Sequence, residues 1–288
     1  MPGSHVAGSL PRRGRLLLAS SHPEPAAAVT TVAAALAASA GRTAWGVAAV
    51  AAAVAAGQLS VGWCNDYVDR ERDATAGRPD KPVARGDVSP ELVRWAAGVA
   101  LVAVVPLSLL SGWRATLVHC AAVALAWAYD LGLKATAWSV VPYTIAFGLL
   151  PVFVVLGLPG HPLPPWWAPL AGALLGAGAH FANTLPDLAD DLATGVRGLP
   201  HRLGARTSRI LSAVLLLGAS VVLAFGPGVP QSAGSKALVV AALLVAGGLL
   251  AAGSILGRRP GSRAPFRATM LLALVDVVLL VARGRALA

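Results

Sequence analysis

Long apolar runs separated by short polar connections dominate the chain. Apolar stretches near 26–41, 44–64, 93–111, 115–129, 139–157, 166–186, 209–225, 236–256 and 267–282 predict nine helices. A helix needs ~20 apolar residues to cross a bilayer, so the first, fourth and ninth runs are short and the others suffice. Pro-Gly-His-Pro-Leu-Pro-Pro at 159–165 divides what would otherwise be one long run into two. The pattern predicts an all-α integral membrane protein of about nine transmembrane helices.

Composition agrees. Of 288 residues, 56% are hydrophobic and 12% charged, and the mean hydropathy is +0.69, leaving too little polar surface for a water-soluble globule. The net charge of +10 does not point to nucleic acid, because the basic residues fall in short connections between apolar runs. Placing the N-terminus inside puts eighteen of the 23 Lys and Arg on the cytoplasmic side, leaving Arg42, Arg114, Lys236, Arg283 and Arg285 outside. That bias predicts a plasma-membrane protein with this orientation. Residues 1–22 are expected to form a cytoplasmic segment, partly disordered or interfacial and held by Arg12, Arg13 and Arg15, ahead of a single transmembrane domain over 23–288. Trp45, Trp63, Trp95, Trp113, Trp138, Trp166 and Trp167 lie near span ends, as an interfacial belt would require. Cys64 and Cys120 are too isolated for a disulfide framework or a zinc site.

The acids are less evenly placed still. Seven of the 13 fall in the connection after the second span and three at the end of the sixth. The first group reads Asn-Asp-Tyr-Val-Asp-Arg-Glu-Arg-Asp at 65–73, and a continuing helix would align Asn65, Asp69 and Asp73 on one face with Asp66 on another. Asn183, Asp187 and Asp191 repeat that spacing after another apolar run, although Pro186 threatens a kink. Like charges so spaced repel, and anions at a helix C-terminus oppose its dipole, so a cation must offset them. A solvated loop in which Asp69 pairs with Arg70 or Arg72 is the plainer reading; the recurrence of the pattern weighs against it.

Carboxylates without His or Cys partners suit a hard cation such as Mg²⁺, which keeps few protein ligands and bridges to substrate phosphates. Arg72, Arg78, Lys81, Lys134 and Arg197 could neutralise phosphate oxygens from the same face. A diphosphate head on a greasy tail would satisfy both the acidic surface and the Ala-rich bundle. Three further residues are ambiguous. His180 could line an acceptor pocket or simply pack. Asp130 reads as an interfacial acid rather than an acceptor-side base. Asp276, deep in the last span, calls for a partner such as Arg267 or Arg283.

Residues 65–73 resemble the first aspartate-rich motif, NDxxDxxxD, of the UbiA superfamily of intramembrane prenyltransferases, with Arg-Pro-Asp-Lys-Pro and Gly86 as its continuation. Asn183 to Gly204 resembles the second motif, with a tail at Gly195, Arg197, Leu199, Pro200, Arg202, Leu203 and Gly204. Tyr129 and Lys134 are similar to the family's Tyr/Lys element, one residue longer than the common YxxxK spacing. The resemblance implies a bundle around a central cavity and two Mg²⁺ ions, one on Asn65, Asp69 and Asp73, the other on Asn183, Asp187 and Asp191. It implies Asp69, Asp73, Asp187 and Asp191 as the catalytic acids, and Arg72, Arg78, Lys81, Tyr129, Lys134 and Arg197 as substrate-binding residues. The implied reaction is transfer of a prenyl group from its diphosphate, through an allylic carbocation, to a lipophilic acceptor, aromatic or a quinone precursor. A terpene cyclase of the same superfamily, or a non-catalytic transporter or lipid-binding protein, stays open as an alternative.

Overall fold

The computed structural model describes residues 10–77, 81–228, 233–256 and 264–287, and among them every regular element is helical. Eleven α-helices follow in order: α1 (Leu10–Ala19), α2 (Pro23–Ser39), α3 (Ala44–Thr75), α4 (Pro90–Leu109), α5 (Trp113–Asp130), α6 (Val140–Leu156), α7 (Trp167–Thr184), α8 (Leu188–Ala193), α9 (Leu199–Phe225), α10 (Ala233–Leu256) and α11 (Ala264–Ala282). α2–α7 and α9–α11 correspond to the nine apolar runs, while α1 and α8 are short additional helices.

By length and composition α3, α4, α9 and α11 can each cross a bilayer, and α6 and the stretch Val239–Gly253 of α10 are shorter apolar helices. α5 and α7 carry His119 and Asp130, and His180 and Asn183, whose polarity interrupts their apolar character. The outward faces are greasy: Val102 is 72% exposed and Leu244 71%, a surface suited to lipid rather than water. Inside, Ala-, Val- and Leu-rich faces close a core that includes Leu36, Val50, Ala53, Phe153, Ala171, Leu216 and Leu279. α6 packs on α7, α3 on α4 and α2, and α9 on α7 and α11.

Three sequence-based expectations change. α3 does run unbroken through its acidic stretch, but the second stretch is not one helix: α7 stops at Thr184, and α8 begins only after Asp187, with Pro186 in the break. Trp167 belongs to no interfacial belt; it is 2% exposed and packs in the core, whereas Trp45, Trp95, Trp113, Trp138 and Trp166 are exposed. Asp276 finds neither Arg267 nor Arg283. It accepts a hydrogen bond from Ser220 Oγ on α9 at 2.5 Å, so a neutral hydroxyl one helix away meets the buried acid.

Candidate active site

The acidic end of α3 is built to face inward. Four-residue spacing brings Asn65, Asp69 and Asp73 to one side, and Asp69 and Asp73 are 5% and 4% exposed. Buried carboxylates need compensation. Lys134, on the short 3₁₀ turn Leu133–Ala135 after α5, places its ammonium 2.5 and 2.6 Å from the two oxygens of Asp69. Arg72 adds a 2.8 Å hydrogen bond to Asp69 Oδ2, and its Nε lies 3.8 Å from Asp73. Lys81, itself buried, lies 3.9 Å from Asp73 and 3.0 Å from Asp66 Oδ1, the latter out of line for a hydrogen bond. Asp66 is 1% exposed and lines no part of the cavity described next, as its position on another face of α3 requires.

A cavity of about 290 Å³ gathers both acidic stretches. Asn65, Asp69 and Asp73 line it from α3, and Asn183, Asp187 and Asp191 line it despite the break between α7 and α8. The two stretches differ in environment: Asn183 is exposed and Asp187 and Asp191 half-buried, so the second faces the open mouth. Arg72, Lys81, Tyr129 and Lys134 complete the expected set on the wall. Arg197 does not join them. It is exposed, lies outside the lining, and its carbonyl accepts a bond from Arg202. Arg78 lies outside the described residues.

Several wall residues escaped the sequence reading. His22, at the turn between α1 and α2, has left-handed backbone angles (φ 54°, ψ 62°) and receives a 2.7 Å hydrogen bond from Lys81 Nζ on its Nε2. The ammonium can only donate, so the imidazole proton sits on Nδ1. That turn is pressed onto α3 at Gly62, where a Cβ would come within 2.0 Å of Ser21 O, and Trp63 Nε1 donates to Leu17 O at 2.8 Å. His201 on α9 lies 3.2 Å from Asp191 Oδ2. It occupies the unspecified place in the Leu-Pro-x-Arg-Leu-Gly tail, which was its one available signal. Ser139, fully buried, bonds His180 Nε2 at 3.0 Å and accepts from Leu199 N at 2.9 Å, tying the Lys134 turn to α7 and α9. His180 therefore lines the polar cavity rather than an apolar acceptor pocket.

A second, larger cavity of about 610 Å³ adjoins the first, sharing His22, Asn65, Tyr129, Tyr143 and Asn183. Its remaining wall is chiefly Ala, Val, Leu and Phe side chains. Asp130 lines this cavity: it is 3% exposed and accepts a 3.0 Å hydrogen bond from Asn65 Nδ2. Tyr143, on the wall of both cavities with Asn183, sits edge-on to Tyr129 at 5.2 Å, so aromatic rings mark the junction of the polar and apolar spaces.

The donor set fits a hard divalent cation. No thiolate lines the polar cavity, and the Lys134 ammonium already holds a positive charge between the oxygens of Asp69. Asn65 spends its amide on Asp69 and Asp130, leaving its carbonyl oxygen to meet a cation. Among the described residues, no three His, Cys, Asp or Glu side chains converge into a ready-made shell.

Comparison with known proteins gives concordant results. The sequence model described as the UbiA prenyltransferase family matches residues 27–275. The digeranylgeranylglyceryl phosphate synthase of Methanothrix thermoacetophila is 31% identical over 160 residues, a stretch covering 53% of this chain and 57% of that relative. In fold, the chain is similar to a UbiA homologue from Archaeoglobus fulgidus bound to GPP and Mg²⁺, with a TM-score of 0.69 at 14% identity over 93% of this chain and 99% of that one. It is also similar to a digeranylgeranylglyceryl phosphate synthase structure, with a TM-score of 0.66 at 14% identity over 96% and 99%.

Proposed function

Because this chain belongs to the UbiA prenyltransferase family, we propose that it transfers a prenyl group from a prenyl diphosphate to a lipophilic acceptor within the membrane. The observation that carries this reading is the joining of the two cavities. One holds both acidic stretches and three basic side chains, the other is apolar, and they share a wall of five residues. A diphosphate fits the first chemically and its hydrocarbon tail the second.

Arg72, Lys81 and Lys134 bind the diphosphate oxygens and stabilise the charge that grows as the C1–O bond breaks. Mg²⁺, two ions on Asn65, Asp69 and Asp73 and on Asn183, Asp187 and Asp191, would neutralise the diphosphate and ease its departure as a Lewis acid. The apolar wall keeps water from the allylic cation while the acceptor forms the new bond to C1 and gives up a proton. Pyrophosphate is the second product. The acceptor we favour is aromatic or a quinone precursor. We place the site on the cytoplasmic face of the plasma membrane, supported by the eighteen Lys and Arg assigned to that side.

The test is pyrophosphate release by purified protein in lipid nanodiscs, supplied with geranyl, farnesyl and geranylgeranyl diphosphates, Mg²⁺ or EDTA, and a panel of aromatic acceptors. Release that requires both Mg²⁺ and an acceptor is expected. Release without an acceptor would replace transfer by cyclisation, and no release with any donor would overturn the reading.

A further inference from the structure

The apolar cavity is a slot with a measurable depth. On α3 its lining runs from Asn65 to Val54, on α5 from Asp130 to His119, and on α6 from Pro142 to Phe153. Eleven residues at a 1.5 Å rise place the far end about 16 Å from the junction on all three helices. The end is closed by a defined pair. The His119 imidazole stacks on the Phe153 ring, centroids 4.5 Å apart and planes 18° apart, and its Nδ1 is held by Ser108 Oγ of α4 at 2.8 Å. Behind the pair lie Val50, Ala53, Ala115 and Val154, all with no exposed surface. Beyond them Arg42 seals the opposite side of the bundle, donating to Val154 O at 3.3 Å and to Ser111 Oγ at 3.0 Å.

From this depth we propose that the His119–Phe153 floor limits the prenyl tail of the donor to about three isoprene units, making a farnesyl-length diphosphate the matched substrate. This rests on the donor reading above. Four carbon–carbon bonds of about 1.5 Å, zig-zagged, advance a chain roughly 5 Å per isoprene unit, so three units span the slot. A two-unit tail leaves the floor uncovered, forfeiting apolar contact. A four-unit tail must displace the stacked pair or fold back. Ala122, eight residues from Asp130 along α5 and on the wall, stands about 12 Å down, opposite the third unit.

Binding of non-ionisable thiolodiphosphate analogues of geranyl, farnesyl and geranylgeranyl chains to the full-length protein in nanodiscs tests this without depending on turnover. Affinity is expected to rise about tenfold or more from the two-unit to the three-unit analogue, and to fall at four. His119→Ala should move the optimum to the four-unit analogue and Ala122→Leu to the two-unit one. Opposite shifts from two residues on one helix are not what general damage to folding produces. Affinity that keeps rising to four units in the wild type, or an optimum that neither variant moves, overturns the ruler while leaving the donor reading intact. Failure of all three analogues to bind folded wild-type protein overturns both.

Discussion

Lys134 and Asp69, 65 residues apart, meet in a two-oxygen contact at 2.5 and 2.6 Å, and the pair sits on the wall of the polar cavity. The ammonium compensates a buried carboxylate and also presents positive charge to whatever enters. Lys134→Met keeps much of the side chain's length but removes the charge. It is expected to lower kcat/KM for the donor by about 10²-fold, the magnitude typical of losing one preorganised stabiliser of developing charge. Lys134→Arg should recover part of the loss. Steady-state pyrophosphate release checks both, and an unchanged Lys134→Met enzyme would remove Lys134 from the mechanism.

Asp69→Ala and Asp187→Ala test the two acidic stretches separately, because one sits on unbroken α3 and the other in the gap before α8. Each is expected to abolish Mg²⁺-dependent pyrophosphate release while the protein still inserts and purifies as a monodisperse species. Full activity in either variant would exclude a site shared by both stretches. EDTA should likewise abolish release by the wild type, and added Mg²⁺ should restore it.

The first acidic stretch was legible because nothing interrupts it: an apolar run leads into residues 65–73 and the helix simply continues to Thr75. The second was legible in chemistry but not in shape, since Pro186 breaks the helix and Asn183, Asp187 and Asp191 reach the cavity by a turn rather than along one face. His22 and Ser139 left no periodic signal. Their places at the site come from a left-handed turn seated on Gly62 and from a hydroxyl bridging three segments, relations between distant parts of the chain. Asp276 was misread for a related reason. Charge counting looks for Arg or Lys, whereas a buried acid can be met by any donor on a facing helix.

Gly198 ties two of those distant parts together. A Cβ there would come within 2.5 Å of Lys134 O and 2.9 Å of Ser139 Oγ, with His201 Nδ1 at 3.3 Å. Gly198→Ala must push back the turn that carries Lys134. We expect a loss of ~1–3 kcal/mol in stability from this overpacking. A larger fall in kcat/KM for the donor than in acceptor affinity should accompany it, because the displaced group is the lysine we propose to bind the diphosphate. Thermal melting in detergent together with donor and acceptor titrations measures the two effects. Wild-type donor kinetics in a folded Gly198→Ala protein would show that the turn tolerates the shift.

Ser220 and Asp276 form a pair remote from both cavities, on α9 and α11. Both are fully buried, and among the described residues Asp276 Oδ2 has no hydrogen-bond partner, so the Ser220 hydroxyl carries the side-chain bond to this acid. Ser220→Ala deletes that donor and leaves the carboxyl unsatisfied, at a cost of ~1–3 kcal/mol. Replacing both partners, Ser220→Ala with Asp276→Leu, removes the unmet polar atoms as well as the bond and should restore most of the loss, since the penalty lies in stranding one partner. Pyrophosphate release per folded molecule should stay at the wild-type level in both variants. A double variant less stable than Ser220→Ala would mean that the acid has another role in holding α9 against α11, and a selective loss of turnover would tie this pair to the site.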